Sequence, residues 1–128
     1  MATESSNTTS RPEQVAMRHA TPAEGRGLPL PAGNLAAPVL AHGSMIVEHY
    51  APRGVDTQQP HTRDELYVVI AGTGSFVNGD DRHPFAPGDV IFVPAGAVHR
   101  FEDFSDDFAT WVIFYGPEGG EAHSGERH

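Results

Sequence analysis

The sequence predicts an all-β domain, a sandwich or barrel of short strands, and three observations carry that expectation. From about residue 28 to residue 116, short runs rich in β-branched and aromatic residues alternate with turn signals. The 14 glycines and 11 prolines among 128 residues are unevenly placed, which suits a turn-rich β protein better than a helical bundle. No stretch shows the helical period over a normal helix length. A chain of this size builds one substantial core and is too short for two domains.

The strands are expected in the following order. Residues 28–40 suit an edge strand, because three prolines there remove ladder donors. GSMIVEHYA (43–51), ELYVVIAG (65–72) and GSFVNG (74–79) follow, and Asn78-Gly79 suits a tight hairpin turn that needs positive φ. DVIFVP (89–94) is bracketed by Pro87-Gly88-Asp89 and Pro94-Ala95-Gly96, and VHRFE (98–102) and FATWVIFY (108–115) complete the set. On the last of these, Trp111, Ile113 and Tyr115 share one face and Val112 and Phe114 the other. Both faces are apolar, so the outer one is expected to be covered by a partner subunit in a homodimer.

Outside this region the chain is polar. Residues 1–27, rich in Ser, Thr, Pro and Glu, are expected to form a flexible arm, with a barrel domain over 28–116 and a flexible tail over 117–128. The tail histidines, His123 and His128, are expected in solvent. No apolar run approaches the roughly 18 residues of a membrane span, and the first ten residues lack signal-peptide character, so a cytoplasmic protein without membrane contact is expected.

Composition removes whole classes of chemistry. There is no cysteine, which excludes disulfides, thiolate nucleophiles, iron–sulfur clusters and cysteine-ligated zinc. There is no lysine, which excludes a lysine Schiff base. A formal charge of −9, with no basic stripe, argues against a nucleic acid partner.

The chemistry-bearing stretch is Gln59-Pro60-His61-Thr62-Arg63-Asp64-Glu65, taken together with His99. If the chain is extended here, Gln59, His61 and Glu65 share a face with Tyr67 and Val69, while Asp64 points away. His99 has the parity of Phe101, which sets an aromatic wall beside it. Two imidazoles and a carboxylate suit one divalent transition metal, Fe2+, Mn2+, Zn2+ or Ni2+, and leave positions open for a substrate. Gln59 is expected either as a fourth, neutral oxygen ligand or as a hydrogen-bonding neighbour of the site, with ligation preferred. His49 shares parity with Met45 and Val47 and is expected to face the pocket, so His49 and Tyr67 are the candidate acid/base groups. The cluster of Glu102, Asp103, Asp106 and Asp107 lacks calcium-hand spacing and reads as a solvated loop.

These residues resemble the two motifs of the cupin superfamily. The first reads Gly54-VDTQQP-His61-TRD-Glu65-LYVVIA-Gly72, with Gln59 where the family's first histidine stands. The second reads Gly88-DVIFV-Pro94-A-Gly96-AV-His99-RFE-Asp103, with Asp103 at the usual asparagine position. The resemblance implies a double-stranded β-helix, or jelly-roll, barrel with a metal inside its mouth. His61, Glu65 and His99 carry over as ligands, and a homodimer is implied.

Two functions from different classes follow. The first is a metal-dependent enzyme acting on a small organic molecule, with a dioxygenase favoured and a non-redox isomerase or lyase as the alternative. The second is a non-catalytic module that binds a small molecule or metal. Fold alone does not choose between them.

Overall fold

The computed structural model describes residues 18–30 and 36–122. A short helix, α1 (Pro22–Gly27), precedes β1 (Ala36–His42), β2 (Met45–Tyr50), β3 (Asp64–Ala71) and β4 (Gly74–Asn78). Then come β5 (Asp81–Phe85), β6 (Val90–Val93), β7 (His99–Glu102) and β8 (Ala109–Tyr115). They form a five-stranded sheet in the order β1-β2-β8-β3-β6 and a three-stranded sheet in the order β5-β4-β7. The pairings are antiparallel. This is the all-β jelly roll that the sequence predicts.

The sheets meet through aromatic rings. Phe101 on β7 stacks 4.7 Å from Phe76 on β4 and, across the sheets, 4.8 Å edge-on from Tyr67 on β3. Phe85 and Phe108 close round the same ring at 5.3 and 4.6 Å. Such offset and edge-on arrangements suit the ring quadrupoles, and Val69, Val93 and Val112 fill the remaining core. Alternation along β3 buries Glu65, Tyr67 and Val69 between the sheets and leaves Leu66 and Val68 half-buried on the outer face.

Three features differ from the expectation. β5 is an additional strand: its sequence, DRHPF, is charged and carries a proline, and four of its five residues are exposed. The hairpin register Asn78↔Asp81 to Gly74↔Phe85 imposes it in place of any hydrophobic alternation. Within the expected arm, residues 22–27 form α1, because Thr21 and Glu24 make a reciprocal capping box. A six-residue helix is too short to leave a period in the sequence. Finally, the expected tail is tied down as far as residue 122: Gly119 N donates to Thr62 O at 2.6 Å, and Glu121 N donates to Asp64 Oδ2 at 2.9 Å. The first 17 residues, and His123 and His128, lie outside the described residues. Among the described residues no helix is long and apolar enough to cross a membrane.

Candidate metal centre

Three of the expected ligands converge. Glu65 comes from β3 and His99 from β7, the strands that bring the two sheets together, and they are 1% and 3% exposed. His61 is half-buried and arrives on the loop before β3. That loop is pinned from the second motif, since Gly96 N donates to His61 O at 2.7 Å and Ala95 N donates to Asp64 Oδ1 at 2.9 Å. Asp64 therefore points away from the site, as its parity predicts, and ties the two motifs together. Ligand atoms of His61, Glu65 and His99 all lie within 4.8 Å of one another.

The tautomer that the backbone selects for His99 suits metal binding. His99 Nδ1 lies 2.8 Å from the Ala97 carbonyl, a contact that favours the proton on Nδ1 and turns Nε2 toward Glu65. His99 Nε2 stands 3.1 Å from Glu65 Oε2, and His61 Nε2 stands 3.9 Å from it. Burial lowers the His61 pKa, and Glu65 only partly restores it. For His99, burial pulls the same way but is outweighed by Glu65 and the Ala97 carbonyl, so the net direction is upward. Glu65 Oε1 is buried without a hydrogen-bond partner, and with its proton on Nδ1 His99 Nε2 meets Glu65 Oε2 acceptor to acceptor. Orphaned buried polar atoms are costly, and a divalent cation shared by these donors would remove the cost. The donor set therefore fits a transition metal.

Gln59 does not take part in this convergence. Residues 56–61 are loop rather than strand, so alternation does not govern them, and Gln59 is exposed at the cavity rim. Its neighbour Gln58 turns inward instead. Gln58 Oε1 accepts from Tyr67 OH at 3.0 Å and lies 3.3 Å from His61 Nε2. Its Nε2 donates to Asp56 Oδ2 at 2.7 Å. Asp56 is itself buried, and its carboxylate also accepts from Tyr50 OH, Gln58 N and Phe101 N. Asp56 and Gln58 escape sequence reasoning, because nothing in an irregular loop says which side chain turns in.

The two candidate acid/base groups are both displaced. Tyr67 is 0% exposed, and its hydroxyl is committed to Gln58. Burial first, and then the Glu65 charge, push its pKa well up, so its hydroxyl keeps its proton as a donor. His49 lies on the opposite face of β2, edge-on to Trp111 at 5.7 Å and beneath Gly25 of α1. The pocket side of β2 carries Ile46, Glu48 and Tyr50. Parity alone left this open, since both faces of β2 mix polar and apolar residues; α1 decides it by covering His49.

A cavity of about 660 Å³ opens beside His61 and Gln58. Ile46, Val112 and Phe114 give it an apolar wall, and Glu48 and Arg63 bring opposite charges to its lining. Burial and the Glu65 charge raise the Glu48 pKa, with Arg63 opposing. Arg63 is held in place by donating to Ser44 O at 2.5 Å. An apolar cavity with a few directed polar groups is the usual form of a small-molecule site.

Known proteins share this fold. A protein-family model described as a Cupin domain matches residues 46–115, from β2 through β8. An uncharacterized protein of Streptomyces coelicolor is 40% identical over 63 residues, covering 49% of this chain and 60% of that protein. The HTH-type transcriptional activator RhaS of Mannheimia succiniciproducens is 29% identical over 69 residues, covering 54% of this chain and 26% of the activator. The chain thus spans only part of the length of either curated relative. Among solved structures, a Cupin 2 conserved barrel domain protein from Salinispora arenicola superposes with a TM-score of 0.55 at 20% identity, over 70% of this chain and 87% of that one.

Proposed function

The chain belongs to the cupin domain family, and from that premise we propose that it is a metal-dependent enzyme acting on a small organic molecule. His61, Glu65 and His99 would hold one divalent transition metal. The observation that carries this reading is the convergence of His61, Glu65 and His99, whose ligand atoms lie within 4.8 Å of one another, with His61 also lining a cavity of about 660 Å³. When bound, iron(II) would supply dioxygen activation, whereas zinc, manganese or nickel would supply Lewis acidity.

Two histidines and one carboxylate with open positions favour the dioxygenase class. The chain's own residues would then admit and orient the substrate. Val112 and Phe114 exclude water, Arg63 attracts a negatively charged group, and Glu48 holds or accepts a proton from the cavity wall. In this role Glu48 replaces His49 and Tyr67. A second reading, a small-molecule-binding module without turnover, draws on the partial match to a transcriptional activator. The exposed Val90 and Phe92 on the edge strand β6 support the expected homodimer.

The test is elemental analysis of untagged protein, followed by oxygen uptake with iron(II) restored and a panel of chelating substrates. Stoichiometric metal in the parent and its loss in His99→Ala, with the fold retained by circular dichroism, is the expected result. Equal occupancy in both proteins would sink the assignment. Oxygen uptake selects the dioxygenase class, turnover without uptake selects non-redox chemistry, and ligand binding without turnover selects the module.

A further inference from the structure

We propose that Gln58 supplies a fourth ligand, its amide oxygen Oε1, to the metal that His61, Glu65 and His99 would hold; the proposal rests on the metal reading of that site. Gln58 stands one residue before the position at which the motif spacing places a ligand, and it lies in a loop where spacing has no predictive force.

Three observations support it. The first is the orientation of the amide. Gln58 Nε2 donates to Asp56 Oδ2 at 2.7 Å, and a carboxylate at that place accepts only from the nitrogen end, so the oxygen end must face the site. Asp56 is itself held by Phe101 N at 2.9 Å and by the Tyr50 hydroxyl, so the orientation is imposed from the barrel core. The second is valence. An amide oxygen has two lone pairs; Tyr67 OH uses one at 3.0 Å, and the other is open toward His61 Nε2 at 3.3 Å. The third is spacing. Metal–ligand bonds of about 2.1 Å set neighbouring donor atoms roughly 3.0–3.4 Å apart for octahedral to tetrahedral angles. The 3.3 Å between Gln58 Oε1 and His61 Nε2 falls in that range, as does the 3.1 Å between His99 Nε2 and Glu65 Oε2, while the 3.9 Å between His61 Nε2 and Glu65 Oε2 lies above it and would have to close on metal binding.

The competing description makes Gln58 only an acceptor for a protonated His61 Nε2. Affinity alone does not separate the two, because removing a residue that merely orients a ligand also weakens metal binding about 10- to 100-fold. The separating measurement is the visible ligand-field spectrum of the full-length protein loaded with Co2+, taken together with its Co2+ affinity. With Gln58 as a ligand, Gln58→Ala weakens Co2+ binding by about 10-fold or more and moves the absorption bands, since the donor set has changed.

Parent-like bands in Gln58→Ala, at any affinity, would overturn the proposal while leaving the three-residue metal site standing. No Co2+ binding by the parent would overturn the metal reading itself. If Gln58→Ala does not fold, Gln58→Leu, which fills a similar volume without an oxygen, takes its place: moved bands support ligation, and parent-like bands reject it.

Discussion

His49 and Glu48 are consecutive residues with opposite surroundings, and their titrations carry opposite signs. The His49 ring lies beneath α1, with Nε2 buried and unpartnered. Burial, helped by the Arg26 charge, lowers its pKa below 6.5. The unfolded chain therefore binds this proton at higher pH than the folded one. Stability from His49 is fully present above about pH 6.5 and is lost as pH falls through the lower folded value. Glu48 behaves in the reverse sense: its raised pKa gives a contribution present below the unfolded value and lost as pH rises through the folded one. On acidification from about pH 7 to about pH 5, urea unfolding should show a larger loss of stability in the parent than in His49→Phe. Equal losses would place His49 in solvent.

At the scale of elements, α1 and the loop before β3 determine what β2 and the ligands can do. Gly25 packs so closely on the His49 side chain that an added Cβ would lie 2.7 Å from His49 Cβ, the side-chain atom least free to move. Alanine would gain about 1 kcal/mol of helix propensity over glycine. The overlap outweighs that gain, so Gly25→Ala is expected to lower stability by about 1–3 kcal/mol in denaturant titration. An unchanged or higher stability would mean that α1 does not seat on β2 at this point. The strands themselves were largely legible, because β3, β4, β6, β7 and β8 are dense in β-branched and aromatic residues. β5 was not, since its place follows from the hairpin that precedes it.

For the whole molecule, the outer face of the five-stranded sheet is the open question that composition raised and register sharpens. Pairing places Val47, Ile113, Leu66 and Phe92 in one row and His49, Trp111, Val68 and Val90 in the next, opposite the buried Glu65 and Tyr67. The rows end on β6, an edge strand of this sheet, where Val90 is 65% and Phe92 47% exposed. An apolar face running to an unprotected edge is a surface that association covers. Light scattering on the parent should give the mass of a dimer, and Phe92→Asp that of a monomer with an unchanged circular dichroism spectrum. A monomeric parent would reject the homodimer.

The sequence by itself determined the all-β class, most of the strands and the inward face of Glu65 and His99, which His61 joins from a loop at the place the motif gives it. Strand alternation and the glycine and proline frames are local, and they survive folding unchanged. The tertiary structure alone decided that Gln58 turns inward in place of Gln59, because the orientation is set by Asp56 and Tyr67, residues brought together from a loop and a strand. It likewise decided that Glu48 rather than His49 faces the cavity. Either face of β2 satisfies the local pattern, and only the packing of a helix remote in sequence chooses between them.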